Sequence, residues 1–174
     1  MNVPSRIKTF AFIGPSGAGK SHLANILVER LPDISLVRSY TTRPKRSSTD
    51  ESHVFVDQKK FVELEKQQVF VGTYNAFGYS YGLPKSDDSN RRLILIRAPL
   101  VNRFRQLFSN PVVIEIDAPI ETLSERLNVR GDQSRIDKDA LASEIEAGRK
   151  LADYIIDSSQ STEQCIKQIT KIIC

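Results

Sequence analysis

Short apolar runs alternate with amphipathic segments along most of the chain. The apolar runs predict buried strands at residues 8–13, 34–37, 92–96, 111–116 and 153–156. Segments whose apolar residues recur every three or four positions predict helices between them, at residues 19–30, 100–108, 120–129, 138–151 and 162–173. Strands that alternate with helices indicate an α/β fold with a mostly parallel sheet flanked by helices.

One region interrupts this alternation, between residues 47 and 82. Short alternating runs at residues 53–56, 69–73 and 79–81 predict brief strands, and residues 61–67 predict one short helix. We interpret this region as a small, partly antiparallel insertion rather than another strand–helix unit.

The composition is that of an ordinary globular domain. The 174 residues are 40% hydrophobic and 26% charged, and a chain of this length can bury roughly 70% of its unfolded surface. We therefore expect one domain over residues 1–174 that needs no disulfide or metal to fold. Cys165 and Cys174 form no CxxC pair, and together with His22 and His53 they are too few for a zinc site.

The apolar runs are too short for a membrane protein. The central run at residues 93–96 falls far below the roughly 20 residues that a membrane helix needs. Residues 1–10 contain no apolar signal-peptide core, so we expect a cytoplasmic protein. The net charge of +4 is modest; it is compatible with binding either nucleic acid or phosphorylated small molecules.

A complete phosphate-binding motif lies between the first predicted strand and the first predicted helix. It fits G-x-x-x-x-G-K-[ST] with Gly14, Pro15, Ser16, Gly17, Ala18, Gly19, Lys20 and Ser21. Glycines let successive N–H groups point inward at the positive end of a helix, which suits a triphosphate. Lys20 would reach the β- and γ-phosphates of ATP, and the Ser21 hydroxyl would bind Mg²⁺. An incidental glycine-rich turn would rarely have this strand–turn–helix context.

The motif alone does not define the reaction. No N/T-K-x-D guanine-reading motif follows the later strands, which is evidence against a GTPase. The small size favours a kinase for a small molecule.

A basic cluster follows the second predicted strand, in the sequence SYTTRPKR at residues 39–46. Arg43, Lys45 and Arg46 lie within four residues, directly after the hydroxyl side chains at residues 39–42. Such groups can hold a phosphate through charge-assisted hydrogen bonds. On its own the cluster could equally be a solvated loop, but a neighbouring P-loop favours the phosphate site.

These segments resemble the guanylate kinase family. The resemblance rests on GPSGAGKS, on SYTTRPKR and on Gly78–Gly82 (GYSYG), and it extends over most of the chain. It implies an ATP- and Mg²⁺-dependent kinase with a core at residues 1–38 and 91–174. It also implies an acceptor-binding insertion at about residues 39–90 and a mobile lid at about residues 126–140.

The resemblance also implies roles for individual residues. Lys20, Arg43, Arg126 and Arg130 would be catalytic, the last two as lid arginines. The acceptor would be held by Ser39, Arg43, Arg46, His53 and Tyr81, with His53 at a position where the family usually has tyrosine. For two of these residues a purely structural role stays open as an alternative. Arg126 could be an exposed helix residue near Thr122 or Glu125, and Arg130 could be a charge that favours the helix C-terminus.

Two positions depart from the family, which reads guanine with two carboxylates. Gly72 stands at the first position, and the second falls in Ile94–Arg97, which contains no acid. Arg97 would favour an anionic group there, unless it pairs with an acid of the protein such as Asp117. Ribose 1,5-bisphosphate phosphokinases, which bind a base-free sugar phosphate, are similar in this respect and in the tract at residues 51–55.

We therefore expect a phosphotransferase whose acceptor is a phosphate, GMP by resemblance or a phosphorylated sugar. A phosphate oxygen needs no general base; a hydroxyl acceptor would need one, with Asp57 or Asp117 as weak candidates. A non-catalytic guanylate-kinase-like module is a further alternative, but its P-loop would typically be degraded. The single local basic cluster counts against a nucleic-acid partner. Both a monomer and a homodimer fit the sequence.

Overall fold

The computed structural model of the chain describes residues 9–45, 48, 50–76, 78–85, 91–108, 110–133 and 136–174. Its strands are β1 (Thr9–Ile13), β2 (Ile34–Val37), β3 (Tyr40–Thr41), β4 (Val54–Phe55), β5 (Phe70–Ala76), β6 (Tyr79–Pro84), β7 (Arg91–Leu95), β8 (Val112–Asp117) and β9 (Tyr154–Asp157). Its α-helices are α1 (Lys20–Arg30), α2 (Gln58–Lys66), α3 (Val101–Leu107), α4 (Ile120–Val129), α5 (Lys138–Leu151) and α6 (Thr162–Ile173). No helix in these ranges is long and apolar enough to cross a membrane.

The main sheet is parallel, with the strand order β2-β7-β1-β8-β9. The P-loop strand β1 lies at its centre, between β7 and β8. This confirms the predicted α/β fold. Because the carboxyl ends of parallel strands meet at one edge, the loops after β1, β7 and β8 lie side by side.

The insertion forms a second sheet with the order β4-β3-β6-β5. β5 and β6 are antiparallel, as are β3 and β6, while β3 and β4 run parallel. The predicted partly antiparallel character is therefore confirmed. The helix here begins earlier than predicted, at Gln58, because the Asp57 carboxylate accepts a hydrogen bond from the Lys60 amide and caps it.

The main sheet buries apolar side chains on both faces. Phe10 and Phe12 pack into the cluster that includes residues of α1, α4 and α6, while Ala11 and Ile13 pack into the cluster with Phe104 of α3. Alternation along a strand sends successive side chains to opposite faces, which explains the continuous apolar runs. This two-sided core holds the end of β1, and so the start of the P-loop, in a fixed position.

Candidate functional site

Backbone conformation shapes the phosphate-binding loop at residues 14–21. Gly14, Gly17 and Gly19 have positive φ angles of 133°, 86° and 86°, a region that side chains disfavour. A Cβ atom at Gly14 would also overlap the carbonyl oxygen of Ile116. α1 begins directly after Gly19, so the loop directs backbone N–H groups and a helix N-terminus at the same space.

Lys20 folds back over this loop. Its Nζ donates hydrogen bonds to the carbonyl oxygens of Gly14 and Pro15, at 2.6 Å and 2.7 Å. These two carbonyl groups hold the ammonium group at the mouth of the loop, where a phosphate oxygen could take their place.

A cleft of about 750 Å³ joins the loop to the insertion. Most of the predicted site residues line it: Gly14, Ser16, Gly17, Ala18, Gly19, Lys20, Ser21, Ser39, Arg43, His53, Tyr81 and Arg130. Pro15 and Arg126 contact the loop or its lysine without lining the cleft. Arg46 lies outside the described residues. The structure therefore brings together the two motifs, which are some twenty residues apart in sequence.

Arg43 is held in place by partners that the sequence analysis missed. Its Nη2 donates to the Asp50 carboxylate at 3.1 Å, and its Nη1 to the Pro44 carbonyl at 3.0 Å. The Arg43 and Asp50 side chains are only 11% and 10% exposed, and the guanidinium lies 5.1 Å from the centre of the Phe55 ring. Such a pair keeps the guanidinium ordered at the cleft wall. The polar run at residues 47–52 gave no signal for Asp50 in particular.

The remaining acceptor residues form a layer of rings and a hydroxyl. Ser39 Oγ and His53 Nδ1 are hydrogen-bonded at 2.7 Å, and the His53 ring packs edge-on against Tyr81. Tyr81 stacks on Tyr74 with the ring centres 5.0 Å apart and the planes 3° apart. Burial raises the pKa of the Tyr74 phenol well above its usual value, so it lines the cleft as a neutral hydroxyl. The strand predicted at residues 69–73 ended before Tyr74, so the sequence analysis did not place this residue opposite Tyr81.

Arg126 reaches the P-loop from α4. Its guanidinium donates to the Gly17 carbonyl at 3.3 Å and to the Ser158 carbonyl at 2.6 Å. It is therefore not an exposed helix residue near Thr122 or Glu125, as one alternative had it. Arg130 is different, because its side chain is 61% exposed and lies 3.7 Å from Asp132.

The positions that depart from the family have new neighbours. A Cβ at Gly72 would lie 2.8 Å from a methyl group of Leu107. The Leu107 side chain of α3 therefore occupies the space that a side chain at position 72 would need. Arg97 pairs with Glu144 of α5 at 3.1 Å. The alternative in which Arg97 pairs with an acid is therefore confirmed, but the acid is Glu144 and not Asp117, which binds Arg149 at 2.7 Å.

The two base candidates have structural roles instead. Asp57 caps α2 and does not line the cleft. Asp117 is buried and bonded to Arg149. Within the described ranges, no cluster of three or more His, Cys, Asp or Glu side chains could hold a metal ion. Cys165 is buried and Cys174 exposed, and both are free thiols.

Comparison with known proteins agrees with this geometry. The family model for guanylate kinase matches residues 6–174. The guanylate kinase of Coxiella burnetii is 32% identical over 182 residues, covering 97% of this chain and 87% of that one. A ribose 1,5-bisphosphate phosphokinase of Rhodopseudomonas palustris is also 32% identical, over 70% of this chain and 66% of that one.

A solved structure adds evidence on the fold alone. The guanylate kinase from Anaplasma phagocytophilum superimposes with a TM-score of 0.70 at 24% identity, covering 97% of this chain and 85% of that one. The family match spans nearly the whole chain, and the P-loop and the basic cluster face one cleft. The chain belongs to the guanylate kinase family of P-loop phosphotransferases.

Proposed function

We propose that this protein transfers the γ-phosphate of ATP to the phosphate of a small phosphorylated acceptor, which family membership identifies as GMP. The observation that carries the proposal is that a complete P-loop and Arg43 of the basic cluster line the same cleft. One wall suits a triphosphate and the other a monophosphate. Transfer between two bound phosphates needs both at once.

Lys20 and Arg43 act by exchanging partners. Each now binds oxygen atoms of the protein, Lys20 the loop carbonyls and Arg43 the Asp50 carboxylate. Phosphate oxygens offer the same geometry with more negative charge, so substrate displaces these contacts. Both cations then stabilise the charge that spreads over the transferring group. The acceptor phosphate is itself the nucleophile, and no general base takes part.

Ser21 fits a role in holding Mg²⁺. Its side chain lines the cleft at the second residue of α1, and a hydroxyl oxygen is a ligand of the type that Mg²⁺ prefers. The bound ion would neutralise phosphate charge. Arg126 and Arg130 complete the donor side in this proposal. Arg126 is already anchored at Gly17, and Arg130 belongs to the lid at about residues 126–140 that we expect to close with the insertion.

A second acceptor class is favoured by one observation. The two sequence positions expected to read guanine carry no carboxylate: Gly72 is backed by Leu107, and Arg97 lines the cleft together with Glu144, its ion-pair partner. Losing two charged hydrogen bonds would cost roughly 3–6 kcal/mol. A sugar that carries a second phosphate, such as ribose 1,5-bisphosphate, would instead gain from Arg97 by displacing Glu144 from it.

A panel of acceptors tests both versions. ATP consumption is measured with GMP, dGMP, AMP, UMP, CMP and ribose 1,5-bisphosphate at matched concentrations. We expect GMP to exceed AMP in kcat/KM by less than about a hundredfold, or ~2.7 kcal/mol. A larger preference would mean that other residues read guanine and would exclude the sugar bisphosphate. If the protein phosphorylates none of these acceptors, the proposed function is wrong.

A further inference from the structure

Glu115 lies on β8 with its carboxyl group buried against the base of the P-loop. The residue is 0% exposed and is in register with Ile13, the residue before the loop. A Cβ atom at Gly14 would lie 3.4 Å from Glu115 Oε1. The carboxyl group therefore contacts the loop from inside the protein and does not line the cleft.

Helix α5 closes over this carboxyl group from the other side. A Cβ at Gly148 would overlap Glu115 Oε2, so only glycine allows the helix to lie this close. Neither carboxyl oxygen has a hydrogen-bond partner among the described residues. A buried polar group without partners opposes folding, so its presence at this place requires an explanation.

Charged groups on three elements surround Glu115. Burial, followed by the negative charge of Asp117 on β8, raises its pKa from the usual value near 4.5 to about 8. Lys20 of α1 acts in the opposite direction, while from α5 Glu144 raises the pKa and Arg149 lowers it. The carboxyl group is therefore uncharged at neutral pH.

We propose that Glu115 is a positioning residue for the nucleotide phosphates, acting through Gly14, which it supports, and through the charge of Lys20. The proposal rests on the proposed nucleotide site at residues 14–21. An uncharged Glu115 leaves the positive charge of Lys20 available to the phosphates. An ionised Glu115 would attract Lys20 toward the interior and repel the triphosphate.

This role makes nucleotide binding depend on pH in a defined direction. A bound triphosphate adds negative charge near Glu115, so it raises the pKa of this carboxyl group further. By linkage, affinity for the triphosphate is highest at about pH 7 and below, falls as pH rises through the pKa of the free protein, and levels off above the pKa of the complex. If binding raises this pKa by about one unit, the Kd for ATP–Mg²⁺ becomes about fivefold larger between about pH 7 and about pH 9.

Calorimetric titration with ATP–Mg²⁺ at both pH values tests this. Glu115→Gln keeps the shape of the side chain but cannot ionise, so its Kd should be equal at the two pH values. Glu146→Gln is the matched control, because Glu146 is an exposed α5 residue paired with Lys150; it should keep the fivefold change of the wild type. An unchanged pH dependence in Glu115→Gln would overturn the proposal.

A second measurement needs no variant that could fail to fold. Carbon NMR of the wild-type glutamate carboxyl groups should find one that titrates near pH 8 and titrates higher with ATP–Mg²⁺ bound. If none titrates above about pH 6, Glu115 has no such role, while the proposed kinase function is unaffected. If ATP–Mg²⁺ does not bind the wild type at about pH 7, the proposed function fails as well.

Discussion

The two walls of the cleft are built in different ways. The donor wall is made by backbone, from eight consecutive residues with three glycines at positive φ. The acceptor wall is made by side chains from separate segments, among them Ser39, Arg43, His53 and Tyr81. A backbone site is encoded in one stretch and is either complete or lost. A side-chain site can change one residue at a time, so it can alter its acceptor while the donor remains the same.

The internal contacts of the two walls also differ. On the donor wall, Lys20 binds neutral carbonyl groups. On the acceptor wall, Arg43 binds a carboxylate that is itself nearly buried. An incoming phosphate must therefore compete with a full charge for Arg43 and with the carbonyl dipoles of Gly14 and Pro15 for Lys20. We expect the acceptor to bind less tightly than the positive charge of the basic cluster at residues 39–46 alone would imply.

Removing the donor-wall cation should have the largest effect. In Lys20→Ala the β- and γ-phosphates lose their point charge, and we expect kcat to fall by about 10⁴-fold or more, with the fold unchanged. The checks are the initial rate of acceptor phosphorylation and the melting temperature. Lys150→Ala, an exposed lysine on α5, should keep the wild-type rate. Turnover near wild type in Lys20→Ala would mean that the loop does not bind the transferred phosphate.

Removing the acceptor-wall cation should have the next largest effect. We expect Arg43→Ala to lower kcat/KM for the acceptor by about 10³-fold and to leave the dissociation constant of ATP nearly unchanged. Arg103→Ala is the control, because Arg103 is exposed on α3, donates a hydrogen bond to Gln106 and does not line the cleft. If Arg43→Ala weakened ATP binding as much as it lowered kcat/KM for the acceptor, the two walls would not bind donor and acceptor separately.

Much of the fold could be predicted because its elements follow local rules. The helices at residues 120–129, 138–151 and 162–173 have the predicted bounds, since apolar residues recur at helical spacing in each of them. The insertion was harder. β4 has only two residues, and the α2 boundary depends on the Asp57 cap, which apolar periodicity does not report.

The site residues also divide into those that the local sequence predicts and those that it does not. The P-loop could be predicted because its function depends on residues adjacent in sequence. Asp50, Tyr74 and Glu115 could not, because each matters through a neighbour from another segment: Arg43, Tyr81 and Gly148. A carboxylate in an apolar strand such as VVIEI was a visible anomaly at Glu115, but which loop and helix it touches depends on the packing. The assigned roles of the remaining site residues stay predictions.

The smallest expected effect sharpens the comparison on the acceptor wall. Ser39 is buried, and its hydroxyl is hydrogen-bonded to His53. In the proposed site the Ser39 hydroxyl holds the acceptor; Ser39→Ala removes that neutral hydrogen bond, worth about 1 kcal/mol, so we expect the KM for the acceptor to rise about fivefold. The KM for ATP should not change, because Ser39 is not part of the donor loop. Ser143→Ala, an exposed residue of α5, should alter neither KM. If Ser39→Ala raised the KM for ATP as much as that for the acceptor, Ser39 would belong to a site shared by both substrates, and the division of the cleft into a backbone wall and a side-chain wall would be wrong.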